Sequence, residues 1–324
     1  MNSYNKSELN IIAKEHGFIR DNLEKVMRLA DILDYFHANE LLSHSLALKG
    51  GTAINLTVFS LPRLSVDIDL DYTVDCDRDA MLAAREKVNE SILRYMNSEG
   101  YHLSPSSRNP HTLDSWVFNY VNAGGNKDVI KIEINYSDRC HLFPPVVKQI
   151  SIPFLKGIHI QSLSMTELYA SKINALLGRC AARDLYDVYK MVENALFQSR
   201  QDLDLLRKST FFYLTVGSSR DGEAVPTQFD KFPLIDAVKF PKIRAQLLPV
   251  LRQTEKFDME KAKATVKEFL GQLLVPTTDE TEYINRWNEG QYSPELLFED
   301  TEIVQRISRH PMALWKVSQM NQRK

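Results

Sequence analysis

The heptapeptide Val66-Asp67-Ile68-Asp69-Leu70-Asp71-Tyr72 alternates strictly between apolar and acidic residues. Successive side chains of an extended strand point to opposite faces, so Val66, Ile68, Leu70 and Tyr72 share one face and Asp67, Asp69 and Asp71 the other. A helix would scatter the three acids around its circumference. The stretch therefore requires a half-buried strand with a carboxylate-lined face. Upstream, the apolar run Leu46-Ala47-Leu48 stops at the breaker Gly50-Gly51, and Thr52 to Phe59 resumes a helical pattern that Pro62 interrupts. Residues 7–45 recur at helical spacing, from Ile11 and Ile12 to Leu33 and Phe36. Downstream, a helix is expected over roughly Asp79 to Ser98, and strands over Ser115 to Val121, Val129 to Tyr136 and Ile150 to Phe154. The block from about 46 to 160 thus reads as a mixed α and β unit.

After Leu163 the character changes. Ser164-Met165-Thr166-Glu167 has the form of a capping box opening a helix, and most later periodicity is helical. The expected division is residues 1–160, with N-terminal helices and a mixed sheet, and residues 161–324, mainly helical. Residues 218–230 are polar, contain Gly222 and Pro226, and read as a loop. A chain of 324 residues with 44% hydrophobic and 25% charged residues suits two folded domains. The formal net charge of −2 speaks neither for nor against a nucleic-acid substrate, which would need a local basic patch. Cys76, Cys140 and Cys180 are odd in number and widely spaced, which supports free thiols in a reducing compartment. The polar start lacks an apolar signal region, and no run of about 18 apolar residues occurs, so a cytoplasmic protein without a membrane span is expected.

The chemistry is concentrated at three places. Asp67 and Asp69, two apart on a strand, project from one face, and carboxylates on one face suit Mg²⁺, a hard cation that prefers oxygen ligands. Two such ions about 3.5–4 Å apart can neutralise a reacting phosphate and activate an attacking hydroxyl. Glu133, the single acid in Ile130-Lys131-Ile132-Glu133-Ile134, is the candidate third carboxylate. Gly50 and Gly51 let backbone approach a phosphate, and Thr52 would add a hydroxyl at the start of a helix, whose N-terminus favours anions. A calcium loop starting at Asp67 fails, because Tyr72 stands where glycine is needed and Arg78 where glutamate is needed. Asp71 reads as closing the strand end, and Asp75, Asp77 and Asp79 as decorating and capping the next helix.

A second cluster follows at 165–192. Met165, Leu168, Tyr169, Lys172, Ile173 and Leu176 fall on one helical stripe, so Lys172 replaces an apolar residue. Either its stem lies on the core while its ammonium snorkels to water, or it points into a cleft to meet a triphosphate. Asp184 and Asp187 are three apart on a helix and share a face. They are either acids near a helix start, favoured by its dipole, or part of a site.

Together these residues resemble a known family. The string Leu48-Lys49-Gly50-Gly51-Thr52-Ala53, continued by Leu61-Pro62-Arg63-Leu64-Ser65-Val66-Asp67-Ile68-Asp69-Leu70, resembles the first motif of the AbiEii/AbiGii toxins. These are nucleotidyltransferase toxins of toxin–antitoxin and phage-abortive-infection systems, related to the MenT toxins. Glu167 to Arg179 and Arg183 to Asp187 look like the downstream motifs, and Pro294 to Phe298, His310-Pro311 and Trp315-Lys316 are also similar to that family. The resemblance implies an α+β, polymerase-β-like fold with a mixed-sheet domain and a mainly helical C-terminal domain. It implies nucleotide binding by Gly50, Gly51, Thr52 and Lys172, Mg²⁺ held by Asp67 and Asp69 with Glu133 completing the site, and a later essential acid at Asp184, with Asp187 as its alternative. It further implies NTP as donor, the tRNA 3′ end as acceptor and a cognate antitoxin. An acceptor that is a small molecule or a protein side chain, or a non-catalytic nucleotide-binding scaffold, are the alternatives. A basic groove beside Asp67 would favour RNA.

Overall fold

The acid-bearing strand lies inside a seven-stranded mixed sheet. Its strands are β1 (Leu46–Lys49), β2 (Asp67–Tyr72), β3 (His102–Leu103), β4 (Leu113–Val121), β5 (Lys127–Asn135), β6 (Val146–Gln149) and β7 (His159–Ser162), in the order β3-β4-β5-β2-β1-β7-β6. β2 runs antiparallel to β1 and parallel to β5. The computed structural model describes residues 4–155, 157–217 and 224–323. Part of the polar stretch read as a loop, 218–223, lies outside the described residues, and 224–230 form neither helix nor strand.

The chain divides into two compact units. The first comprises 1–139, 145–163 and 250–255, and the second 140–144, 164–249 and 256–324. In the first, Ile68, Leu70, Ile130, Ile132, Ile134, Trp116 and Phe118 are buried on one sheet face. Each such side chain contributes roughly 1.5–3 kcal/mol. Helices Arg20–Ala38 and Arg78–Ser98 contribute to the cover: the Arg28 guanidinium lies 4.7 Å over the Tyr120 ring, and Arg85 lies 5.0 Å over Tyr136. Asp77 caps the second of these helices, its carboxylate accepting from the Ala80 amide.

Two expectations are corrected in this unit. Residues 150–154 are not a strand. The strands lie on either side, β6 pairing with β7, and the stretch between is a turn in which the Leu155 amide donates to the Ile152 carbonyl. Ile150, Ile152 and Leu155 are buried there, so the apolar signal was real, but Pro153 cannot donate to a ladder. The helix expected after the glycines is present, α-helical over Gly50–Ala53 and continuing as π-helix over Ile54–Val58. Asp71 does not close a strand end in water. It is buried in β2 and paired with Lys49.

Every regular element of the second unit among the described residues is helical. Its core is built by Met165–Gly178, Ala182–Glu193, Arg200–Val216, Met259–Leu273 and Thr278–Asn288, burying among others Leu168, Ile173, Leu185, Phe211, Phe212, Val266 and Tyr283. The box expected at Ser164 is half formed. The Ser164 hydroxyl accepts from the Glu167 amide, but the fully buried Glu167 carboxylate takes the Leu142 amide at 2.8 Å and the Tyr213 hydroxyl at 2.9 Å. The carboxylate thereby anchors 140–144 to this unit. A complete capping box occurs instead at Thr277 and Glu280. Near the C-terminus His310 caps the helix Pro311–Gln322, and buried Lys316 donates to the Gly217 carbonyl.

Candidate functional site

The open face of the first unit's sheet follows from the pleat and the register. Lys49 pairs with Asp69, Asp69 with Glu133, Glu133 with Ser115, and Ser115 with Arg108. These five residues form one row across the sheet, because register partners share a face. In the next row Asp67 pairs with Lys131. Three of the candidate acids are therefore neighbours: Asp67 and Asp69 on β2, half-buried, and Glu133 directly beside Asp69 on β5.

Their electrostatic surroundings were only partly legible in the sequence. Lys131 lies 2.9 Å from one Glu133 oxygen, and the Ser115 hydroxyl donates to the other at 3.0 Å. Burial works to lower the Lys131 ammonium, but Glu133, Asp67 and Asp69 outweigh it and hold it above the ordinary lysine value. Lys49 behaves alike: burial opposes its charge, and Asp71, Asp138 and Asp69 raise it. Two cations thus stand among the acids. Among the described residues, no three His, Cys, Asp or Glu side chains are gathered closely enough to hold one metal ion. Glu133 adjoins Asp69 in register, yet its two oxygens are engaged by Lys131 and Ser115. Oxygen donors and shared direction fit Mg²⁺ at the Asp67–Asp69 pair; the three-carboxylate set is not converged.

The glycine turn and the acids are one structure. Gly50 has φ +70°, and a Cβ there would lie 2.8 Å from an Asp69 carboxylate oxygen. Only glycine lets that carboxylate lie against the turn. At Gly51 a Cβ would meet the Arg63 guanidinium at 2.7 Å and the Ser65 hydroxyl at 3.0 Å. Arg63, 1% exposed, is brought there by a sharp bend at Leu61, whose φ of 53° is in the left-handed region. A leucine carries no signal for that conformation. Thr52 is buried and spends its hydroxyl on the Asp67 carbonyl, tying the turn to β2. Any contact of Thr52 with a phosphate through that hydroxyl requires this bond to break. Lys49, Arg63, Ser115 and Lys131 carry no role in the sequence reading. For Lys131 the signal existed, since it lies two residues before Glu133.

In the second unit Lys172 neither snorkels to water nor stands free in a cleft. Its ammonium lies 3.0 Å from Asp184 and 3.2 Å from Asp187, and all three are buried. Arg179 adds a contact to Asp184 at 3.1 Å. The spacing of the two acids on the helix Ala182–Glu193 places both toward one lysine on Met165–Gly178. Burial works to raise the Asp184 carboxyl, but Lys172 and Arg179 prevail and hold it below the ordinary carboxylate value. Cys180, at the bend between these helices, is buried with its thiol pushed up to about 11, chiefly by burial. That suits an inert thiol.

A family model described as "Nucleotidyl transferase AbiEii toxin, Type IV TA system" matches residues 31–287. Among solved structures, the chain is similar to MenT4, a nucleotidyltransferase toxin from Mycobacterium tuberculosis H37Rv, with a TM-score of 0.60 and 16% identity. That likeness covers 96% of this chain and 99% of the other, and at such identity it concerns the fold. No curated protein matches the chain in sequence.

Proposed function

The chain belongs to the AbiEii family of nucleotidyltransferase toxins of type IV toxin–antitoxin systems, and from that premise we propose that it transfers a nucleoside monophosphate, with Mg²⁺, from an NTP to the 3′ end of tRNA. The observation that carries this reading is the approach of the Asp69 carboxylate to the glycine turn at Gly50, with Asp67 on the same strand face. It puts a candidate phosphate-binding turn and a candidate metal-binding pair side by side. Asp67 and Asp69 would hold the ion, with Glu133 joining once it leaves Lys131. Mg²⁺ there supplies neutralisation of the charge that develops on the transferred phosphoryl group.

The chain's own residues do the rest. Backbone amides of Gly50, Gly51 and Thr52 receive phosphate oxygens. Lys131 and Lys49 stand among the clustered acids and offset part of their negative charge until substrate arrives. The acceptor hydroxyl attacks the α-phosphorus, its proton passes to a carboxylate on this face, and pyrophosphate leaves as the bond to the β-phosphate breaks. The family resemblance assigns nucleotide contact to Lys172 and an essential acid to Asp184. The two residues meet in one buried charge cluster in which Asp187 shares the same lysine, and nucleotide contact by Lys172 requires it to leave these two acids. A cognate antitoxin protein completes the system. The cytoplasm, where NTP and tRNA are found, is the compartment this reading requires; among the described residues no helix is long and apolar enough to cross a membrane.

The test uses the full chain, Mg²⁺, each radiolabelled NTP in turn and total RNA. Label is expected in tRNA, and Asp69→Ala or a chelator should abolish it, with Mg²⁺ restoring the chelated sample. An Asp69→Ala protein that labels RNA at the wild-type rate removes the metal assignment. Label appearing only in a small molecule or in protein replaces the tRNA acceptor.

A further inference from the structure

The alternation that gives β2 its acids continues into β4 and β5, and on those strands the open face changes sign. Its positions on β4 are Ser115, Val117, Asn119 and Val121; on β5 they are Lys127, Val129, Lys131 and Glu133. His102 on β3 joins through its pairing with Asn119, and Arg108 through its pairing with Ser115. The opposite face of the same strands is buried beneath helices, where Trp116, Phe118 and Tyr120 pack and Asp128 pairs with Lys25. The open face is different: His102, Asn119, Val121, Lys127 and Val129 are all exposed.

The charge on this face is one-sided. Glu133 is its only acid on these three strands, and Lys131 and Ser115 already engage it. Lys127 and Arg108 add cations and Asn119 a neutral donor. In a chain of net charge −2 this is a local basic surface. It begins at Asp67, whose register partner is Lys131, and runs from there to Lys127 at the far end of β5, about 13 Å at the usual strand rise. Cations at such a spacing meet the repeated phosphates of a single strand, while the exposed valines between them offer apolar surface to sugars and bases. A small-molecule acceptor would have no use for a surface extending so far from the carboxylates.

We propose that the open face of β3, β4 and β5 is the track along which the single-stranded 3′ end of an RNA acceptor lies on its way to Asp67 and Asp69. The proposal rests on the RNA-directed transferase reading above and adds where the acceptor runs. Lys127 and Arg108 bind phosphate and take no part in the chemical step. Neutralising a phosphate contact on a single strand changes the log–log salt dependence of binding by about 0.7.

The experiment compares the full-length wild type with Lys127→Glu, Lys127→Gln and the double variant Lys127→Glu/Arg108→Glu. Lys87→Glu, an exposed site on the helix Arg78–Ser98, makes the same change in net charge as Lys127→Glu on a different surface. Transfer is measured against RNA and NTP concentration at several salt concentrations. KM for RNA should rise about tenfold in the double variant and less in Lys127→Gln, and the salt slope should fall by about 0.7 for each phosphate no longer neutralised. KM for NTP and Lys87→Glu should match wild type. If wild type labels RNA while Lys127→Glu and the double variant keep its KM and salt slope, the track is wrong and the transferase reading stands. If Lys87→Glu loses as much as Lys127→Glu, the effect is general charge and the track is again wrong. If wild type labels no RNA with any NTP, the tRNA reading fails and the track with it.

Discussion

At Gly50 the backbone conformation and the neighbouring side chain make the same demand. The residue has φ +70°, and its missing Cβ makes room for the Asp69 carboxylate. Gly50→Ala should cost roughly 1–2 kcal/mol through the left-handed backbone alone. By displacing Asp69 it should also lower transfer on the order of a hundredfold. Chemical denaturation and initial rates read the two effects separately, and a variant with unchanged rate would break the link between turn and carboxylate. The glycines and the two aspartates could be picked out from the sequence because their residue types are rare in that order. Arg63 could not, because its place against Gly51 depends on the bend at Leu61.

The pair of helices carrying Lys172, Asp184 and Asp187 is where a single side chain governs an element contact. Removing one partner from a buried charge cluster leaves the others uncompensated, so Lys172→Ala should destabilise the protein by about 3–5 kcal/mol. A urea midpoint within error of wild type would show the cluster to be energetically idle. The pH dependence has a definite sign. The Asp184 carboxyl is held down in the fold, so its contribution is fully present above the ordinary carboxylate value of 3.8. It is lost as pH falls below that value and through the lowered one. Lys172→Ala should therefore flatten the acid limb of a stability–pH curve. Helical spacing showed that Asp184 and Asp187 share a face, but not that the face meets Lys172. At the level of strands, strict alternation located β2, β4 and β5. The short β3, β6 and β7 escaped because two to four residues cannot display a period.

For the whole chain, the first unit is completed by a segment distant in sequence. Residues 250–255 return to it: the Val250 carbonyl accepts from the Leu64 amide, Leu251 bridges to Arg63, and Arg252 lies 5.3 Å over the Phe18 ring while donating to the Ser60 carbonyl. Arg252→Ala should cost about 1–2 kcal/mol and slow transfer, because the stretch 60–64 positions Arg63 against the glycine turn. Unchanged stability and rate would separate this segment from the site. The sequence by itself determined the carboxylate-bearing strand, the glycine break before it, the change to helical periodicity after Leu163 and the family resemblance. All of these are local signals, carried by residue type and spacing within a few turns or one strand. The tertiary structure alone decided that Glu133 stands beside Asp69 but is engaged by Lys131 and Ser115, that Thr52 faces the Asp67 carbonyl, and that residues 250–255 belong with the first unit. Those outcomes depend on strand order, register and chain return, which pair residues by burial and charge across long separations that no local period encodes.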